Sequence, residues 1–175
     1  MRTPGSMIDL KKQQDLSTQG ENSDLVPKYR VMVVDDNKDI LRTLKLGLED
    51  SGFLIEAYSE PFTVLSIFKT IYGNRDGSPV HMPYDLLLID VKMPELNGVE
   101  LTKEIQKLAK NSNAITPPIC FITAFDEYYE ILMDLFPNNN KHDSDICLIH
   151  KPIEIENLTT RLKHEIALHK ELDMA

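Results

Sequence analysis

Leu86-Leu87-Leu88-Ile89-Asp90-Val91-Lys92-Met93-Pro94 is the stretch that decides the fold. Four consecutive apolar residues with no polar alternation describe a short strand buried on both faces, and such strands belong to parallel sheets covered by helices. The run ends on a carboxylate, Asp90, and a turn through Pro94 leads to Gly98, after which Leu101, Ile105 and Leu108 fall on one helical face. The same grammar recurs on either side. Upstream, Arg30-Val31-Met32-Val33-Val34 runs into Asp35-Asp36, and Leu41, Leu44 and Leu48 keep helical spacing until Gly52 stops them. Phe53, Ile55 and Ala57 alternate as a more exposed strand near a sheet edge, and Phe62, Leu65 and Phe68 mark the next helix. Downstream, Pro117-Pro118 introduces a strand over residues 119–122 that ends on Thr123, and Tyr128, Leu132 and Leu135 predict a fourth helix. Residues 146–149 form a last strand ending at Lys151-Pro152, and Ile155, Leu158, Leu162 and Ile166 give the final helix its buried face. Five alternations of strand and helix predict an α/β domain with a five-stranded parallel sheet and helices on both faces.

Strand C-termini of such a sheet open onto one crevice, so the islands that close the apolar runs are expected to meet in space. Asp35, Asp36, Asp90, Thr123 and Lys151 would then share a pocket. Crowded carboxylates repel one another and favour a hard divalent cation, Mg²⁺ above all where phosphate is the other ligand. A hydroxyl and an ammonium supply the hydrogen-bond donor and positive charge that a phosphoryl group requires. Each island has a plainer explanation when taken singly: Asp35, Asp36 or Asn37 would serve as a helix N-cap, Asp90 as a turn residue, Thr123 as an ordinary strand end. Two adjacent acids exceed what one cap needs, and the order of the islands along the chain carries the stronger signal.

The chain of 175 residues, 42% apolar, has room for one α/β domain and a tail. Residues 1–28 show no sustained apolar period and are expected to be a disordered tail, with Met1 and Met7 both conceivable starts; the domain is expected at 29–172. A net charge of -9 without a basic cluster argues against direct nucleic-acid binding and against attachment to an anionic membrane. No stretch is long enough to span a bilayer, and no apolar core of a signal peptide is present. Cys120 and Cys147, both inside apolar runs, are expected to be buried free thiols, which points to a reducing, cytoplasmic location. None of the five histidines sits in a metal-spaced motif, and alternation points His150 away from the pocket that Lys151 enters.

With these residues in view, the chain resembles the receiver domain of two-component response regulators. The matching text is Val31-Met32-Val33-Val34-Asp35-Asp36-Asn37, Leu88-Ile89-Asp90-Val91-Lys92-Met93-Pro94 with Gly98, Phe121-Ile122-Thr123-Ala124, and Lys151-Pro152. The resemblance implies a flavodoxin-like sheet of order 2-1-3-4-5. It further implies that Asp90 accepts a phosphoryl group from a histidine kinase or histidine phosphotransfer protein, and that the product switches binding of a downstream protein target. Mg²⁺ would be held by Asp36, Asp90 and the backbone carbonyl of Lys92, with Asp35 behind a water. Lys151 would pair with Asp90 and then with the phosphoryl oxygens, and Thr123 would bond the phosphoryl group once it arrives. No enzymatic role is expected beyond self-phosphorylation and self-dephosphorylation. The latter is expected to be slow, because Lys92 and Phe125 flank the path of the attacking water and neither activates it.

The chain departs from the family pattern in three ways. Leu148 stands where receivers usually carry an aromatic three residues before the lysine, the loops at 73–83 and 138–145 are long, and no output region is expected after Leu172. Two other readings therefore stand beside the phosphoacceptor: a receiver-fold scaffold that binds regardless of phosphate, and a Mg²⁺-dependent phosphatase. The phosphatase reading lacks a second acid two residues after the nucleophile, where Lys92 stands.

Overall fold

The computed structural model describes residues 29–73, 80, 82–124, 132 and 147–173. Five parallel strands form one sheet: β1 (Tyr29–Val34), β2 (Phe53–Tyr58), β3 (Leu86–Asp90), β4 (Ile119–Thr123) and β5 (Cys147–His150). Their order is β2-β1-β3-β4-β5, with every neighbouring pair parallel. The described helices are α1 (Lys38–Asp50), α2 (Pro61–Gly73), α3 (Gly98–Asn111) and α4 (Ile155–Asp173). The expected tail at 1–28 lies outside the described residues. Of the helix expected at Tyr128, Leu132 and Leu135, only Leu132 is described; it is helical and fully buried.

The two faces of the sheet make two cores, because alternate residues of one strand point to opposite sides. Met32, Val34, Leu87, Ile89 and Phe121 pack beneath α2 and α3, while Val31, Val33, Leu86, Leu88 and Ile122 pack beneath α1 and α4. All five residues of β3 are buried, as its unbroken apolar run requires of a central strand. In β2 the buried Phe53 and Ile55 alternate with exposed or half-buried neighbours, as befits an edge strand. That edge is pinned by Glu56, which accepts hydrogen bonds from Tyr58 Oη (3.1 Å), Tyr84 Oη (2.7 Å) and Arg30 Nε (2.9 Å).

One helix expectation needs adjustment, and the choice among the three N-cap candidates of α1 is decided. Phe62 is 52% exposed instead of packing with Leu65 and Phe68. The buried stripe of α2 is Pro61, Val64, Leu65, Phe68 and Tyr72, an i, i+3, i+4 series from which Phe62 is turned by about a quarter of the circumference. α1 is capped by neither aspartate: Asn37 is the N-cap, its side chain accepting from the backbone of Asp39 (3.0 Å) and Ile40 (3.2 Å). Asp35 and Asp36 are thereby left for other work. Gly52 ends the α1 region with a positive φ of 87°, a conformation that costs glycine little.

The cysteines are the clear correction. Cys120 and Cys147 are joined in a disulfide, not held as free thiols. They lie opposite each other on neighbouring strands β4 and β5 with Cα atoms 4.5 Å apart, and both side chains turn to the same face. Burial was foreseen; the pairing depends on strand register, which the sequence does not state. Cysteine usage therefore gives no ground for assigning a reducing compartment.

Candidate functional site

Four strand ends deliver the site. Asp35 directly follows β1, Asp90 is the last residue of β3, Thr123 the last of β4, and Lys151 directly follows β5. Their convergence follows from the parallel register, and backbone bonds from Val91 N to Ile122 O (2.9 Å) and from Lys151 N to Thr123 O (2.8 Å) hold adjacent ends level. Asp35, Asp90 and Thr123 are almost wholly buried, at 0%, 4% and 1% exposure.

The centre is the Lys151 ammonium. Lys151 Nζ donates to Asp90 Oδ1 at 2.6 Å and to Asp35 Oδ2 at 3.0 Å, so one cation bridges two carboxylates 55 residues apart in sequence. Their remaining oxygens are also engaged: Asp90 Oδ2 accepts from Lys92 N (2.8 Å), and Asp35 Oδ1 accepts from Asn37 N (2.9 Å). Lys151 was expected to pair with Asp90; its second bond, to Asp35, was not foreseen. Asp36 is exposed, on the loop between β1 and α1, and Lys92 is exposed beyond β3. His150 points outward to solvent, as alternation predicts.

One ammonium between two buried carboxylates leaves negative charge in excess. Burial pushes the Asp90 carboxyl above its ordinary range and the neighbouring charge of Asp35 adds to this, so that the opposing pull of Lys151 and of the Lys92 amide does not win. Lys151 itself is affected in two directions. Burial alone lowers its affinity for a proton, but the bonds to Asp90 and Asp35 outweigh burial and raise it, keeping the ammonium charged. Among the described residues no three acids, histidines or cysteines are grouped as metal ligands. The donor set nevertheless suits a hard cation: two buried carboxylates already share one positive charge, and the exposed Asp36 stands next to Asp35.

Gly98 is a site residue whose role sequence reasoning did not identify. A Cβ there would stand 2.2 Å from the carbonyl oxygen of Asp90, so only glycine lets α3 start this close to the strand end. Gly98 N donates to Val91 O (3.0 Å), and Asn97 caps α3 in a reciprocal box with Glu100. The turn from Asp90 to α3 is thus fixed by backbone contacts on one side and Lys151 on the other. The signal was present in the sequence, a glycine at a helix start shortly after Pro94, but its reason is visible only in space. A groove of about 430 Å³ lies at the other end of the sheet, near Tyr84, Asp85, Pro118 and Lys170, and touches none of these carboxylates.

Comparison with known proteins agrees with this geometry. The profile of the response regulator receiver domain matches residues 31–163. The transcriptional regulatory protein SpaR of Bacillus subtilis is 29% identical over 133 residues, and response regulator ArlR of Staphylococcus epidermidis 24% over 133 residues; each alignment covers 76% of this chain and 50% of the relative. The chain thus spans about half the length of these relatives. Among solved structures, a CheY-like receiver domain protein from Methanospirillum hungatei aligns with a TM-score of 0.61 at 20% identity, covering 82% of this chain and 97% of the other. A receiver domain protein from Clostridium thermocellum aligns with a TM-score of 0.60 at 22% identity, covering 82% and 98%. Strand order, the carboxylates at the strand ends and a profile match over most of the chain lead to one conclusion: this chain belongs to the response regulator receiver domain family of two-component signal transduction.

Proposed function

We propose that Asp90 is the phosphoacceptor, taking a phosphoryl group from the phosphohistidine of a histidine kinase or histidine phosphotransfer protein. One Asp90 oxygen attacks phosphorus, the P–N bond breaks, and the electron pair leaves with the donor imidazole, giving an aspartyl phosphate. The observation that supports this most is the Lys151 bridge: a carboxylate already held at 2.6 Å by a lysine has a cation in place to receive phosphoryl oxygens. Its other oxygen, held by Lys92 N, is fixed in orientation. Thr123, at the end of the adjacent strand, would donate its hydroxyl to the phosphoryl group and draw the end of β4 inward, favouring a state that a downstream protein target reads.

Asp36, Asp90 and the Lys92 carbonyl would hold Mg²⁺, with Asp35 behind a water, and the excess carboxylate charge fits that assignment. Bound there, the cation would neutralise charge developing on the phosphoryl oxygens. Self-dephosphorylation is slow in this reading, since Lys92 offers no carboxylate or amide that could orient the attacking water; Phe125, the other flanking residue, lies outside the described residues. The unit carrying the function is residues 29–172. No helix among the described residues is long and apolar enough to cross a membrane, and the compartment we assign is the cytoplasm, with no direct nucleic-acid contact and no membrane insertion. Incubation with acetyl phosphate and Mg²⁺ tests the proposal. Wild type should gain acid-labile phosphate and Asp90→Asn none; equal uptake by both would overturn it.

A further inference from the structure

The cross-link between Cys120 and Cys147 joins the two strands whose ends carry Thr123 and Lys151. Cys120 lies three residues before Thr123 on β4, about 10 Å along the strand. Cys147 opens β5, four residues before Lys151. Just past the cross-link the same strands are tied again by the backbone bond from Lys151 N to Thr123 O at 2.8 Å. With two apolar cores among the described residues, the domain does not depend on a disulfide in the way that small secreted domains without a core do. Its position beside the mobile parts of the proposed chemistry gives it another use.

We propose that Cys120 and Cys147 form a reversible thiol–disulfide pair that controls how readily the Thr123–Lys151 end of the sheet rearranges around a phosphoryl group on Asp90. This rests on the reading of Asp90 as phosphoacceptor. With the disulfide closed, β4 cannot shift toward Asp90 without carrying β5, so the rearrangement that stabilises the phosphorylated state is resisted. With the thiols free, only backbone hydrogen bonds join the two strands, and the end of β4 shifts against β5 more readily. The oxidised protein is therefore the poorer acceptor.

Access follows from the sheet order. β5 is a four-residue edge strand hydrogen-bonded to β4 alone among the described strands, and Cys147, 5% exposed at its first residue, is uncovered when that strand frays. Cys120, fully buried in β4, is not uncovered by the same event. Oxidation by a low-molecular-weight disulfide then runs in two exchanges. The Cys147 thiolate attacks one sulfur of oxidised glutathione, forming a mixed disulfide and releasing one glutathione thiolate. The Cys120 thiolate attacks the Cys147 sulfur, closing the protein disulfide and releasing the second. Two protein thiols lose two protons and two electrons, and one glutathione disulfide becomes two thiols. Dithiothreitol reverses the sequence.

The test uses the full chain in two states, oxidised with glutathione disulfide and reduced with dithiothreitol, each then freed of reagent. Thiols are counted by alkylation and mass on the folded protein, and phosphate uptake is followed from acetyl phosphate with Mg²⁺. The oxidised form should take up phosphate on the order of fivefold more slowly, the low end of ordinary coupling between sites. Cys147→Ala should take it up at the reduced rate in both conditions, and Cys120→Ala, a second variant with the same prediction, covers failure of the first to fold. Equal rates in wild type in its two states, or failure of the thiols to pair in the folded protein, would overturn the proposal. No uptake in either state would overturn the phosphoacceptor reading and the coupling with it, while the thiol count would still register the cross-link, so the two failures are told apart.

Discussion

Replacing Lys151 by alanine tests the electrostatic heart of the site. The side chains of Asp35 and Asp90 are 0% and 6% exposed, and both contact one nitrogen, so removal of the ammonium leaves two buried carboxylates facing each other. With Nζ at 2.6 and 3.0 Å from the two oxygens, these are at most about 5.6 Å apart. Unit charges at that separation repel by about 3 kcal/mol at an effective dielectric constant of 20. Breaking a buried pair from one side costs about 3–5 kcal/mol, and the 22% exposure of the lysine side chain puts this case at the lower end. Lys151→Ala should therefore lose about 3 kcal/mol at neutral pH in EDTA, measured by urea unfolding. The loss has a built-in relief. Asp90, whose carboxyl is already raised by burial, takes up a proton as the pH falls toward the acid range, so the difference should shrink there. Adding Asp90→Asn to Lys151→Ala should recover about 2 kcal/mol by removing one of the two charges. A loss below about 0.5 kcal/mol, the size expected of a surface ion pair, would refute the claim that the ammonium holds this pocket together.

Three further outcomes follow from the same geometry. Asp36→Ala should abolish Mg²⁺ binding and Asp35→Ala only weaken it, as read by titration calorimetry; unchanged affinity in the Asp36 variant would remove that residue from the metal's direct ligands. Gly98→Ala should destabilise the fold by about 3 kcal/mol in urea unfolding, the upper range for overpacking, because the added methyl meets backbone at Asp90 O and no side chain can swing aside. Metal-free stability should carry a signature of Asp90. Its folded pKa lies above the ordinary 3.8, so the native state binds a proton that the unfolded chain has released, and stability falls as pH rises from about 3.8 through the raised value. Asp90→Asn should flatten that segment of the curve, and an unchanged slope would contradict the shift.

The fold was legible because its strands are apolar runs that end on chemically distinctive residues, and the parallel order brings those ends together whatever the loops do. That Asp90 and Lys151 share a pocket could be read from the sequence because each closes a run in the expected order, and their pairing is what the resemblance to receiver domains implies. The second bond of Lys151, to Asp35, was not legible, since it depends on which carboxylate turns inward, and here Asn37 takes the capping role that would have occupied an aspartate. The cysteine pair was hidden by register. Aligning Thr123 with Lys151 as matching strand ends would set Cys120 opposite Leu148, whereas the actual register sets Thr123 opposite His150 and Cys120 opposite Cys147. A shift of one residue turns every side chain to the other face, so the pair appears only once the register is known. Phe62 misled for a related reason: Pro61 begins the buried stripe of α2, one position earlier than the aromatic suggests.

The central claim is that Asp90 carries the phosphoryl group, and mapping the acceptor tests it most directly. The full chain is phosphorylated from acetyl phosphate with Mg²⁺, the acyl phosphate is reduced with borohydride, which converts the acceptor aspartate to homoserine, and peptides are sequenced by mass spectrometry. Homoserine should appear at position 90 and at neither 35 nor 36. Conversion at Asp35 or Asp36 with Asp90 intact, or no conversion in a protein that binds Mg²⁺, would contradict the account.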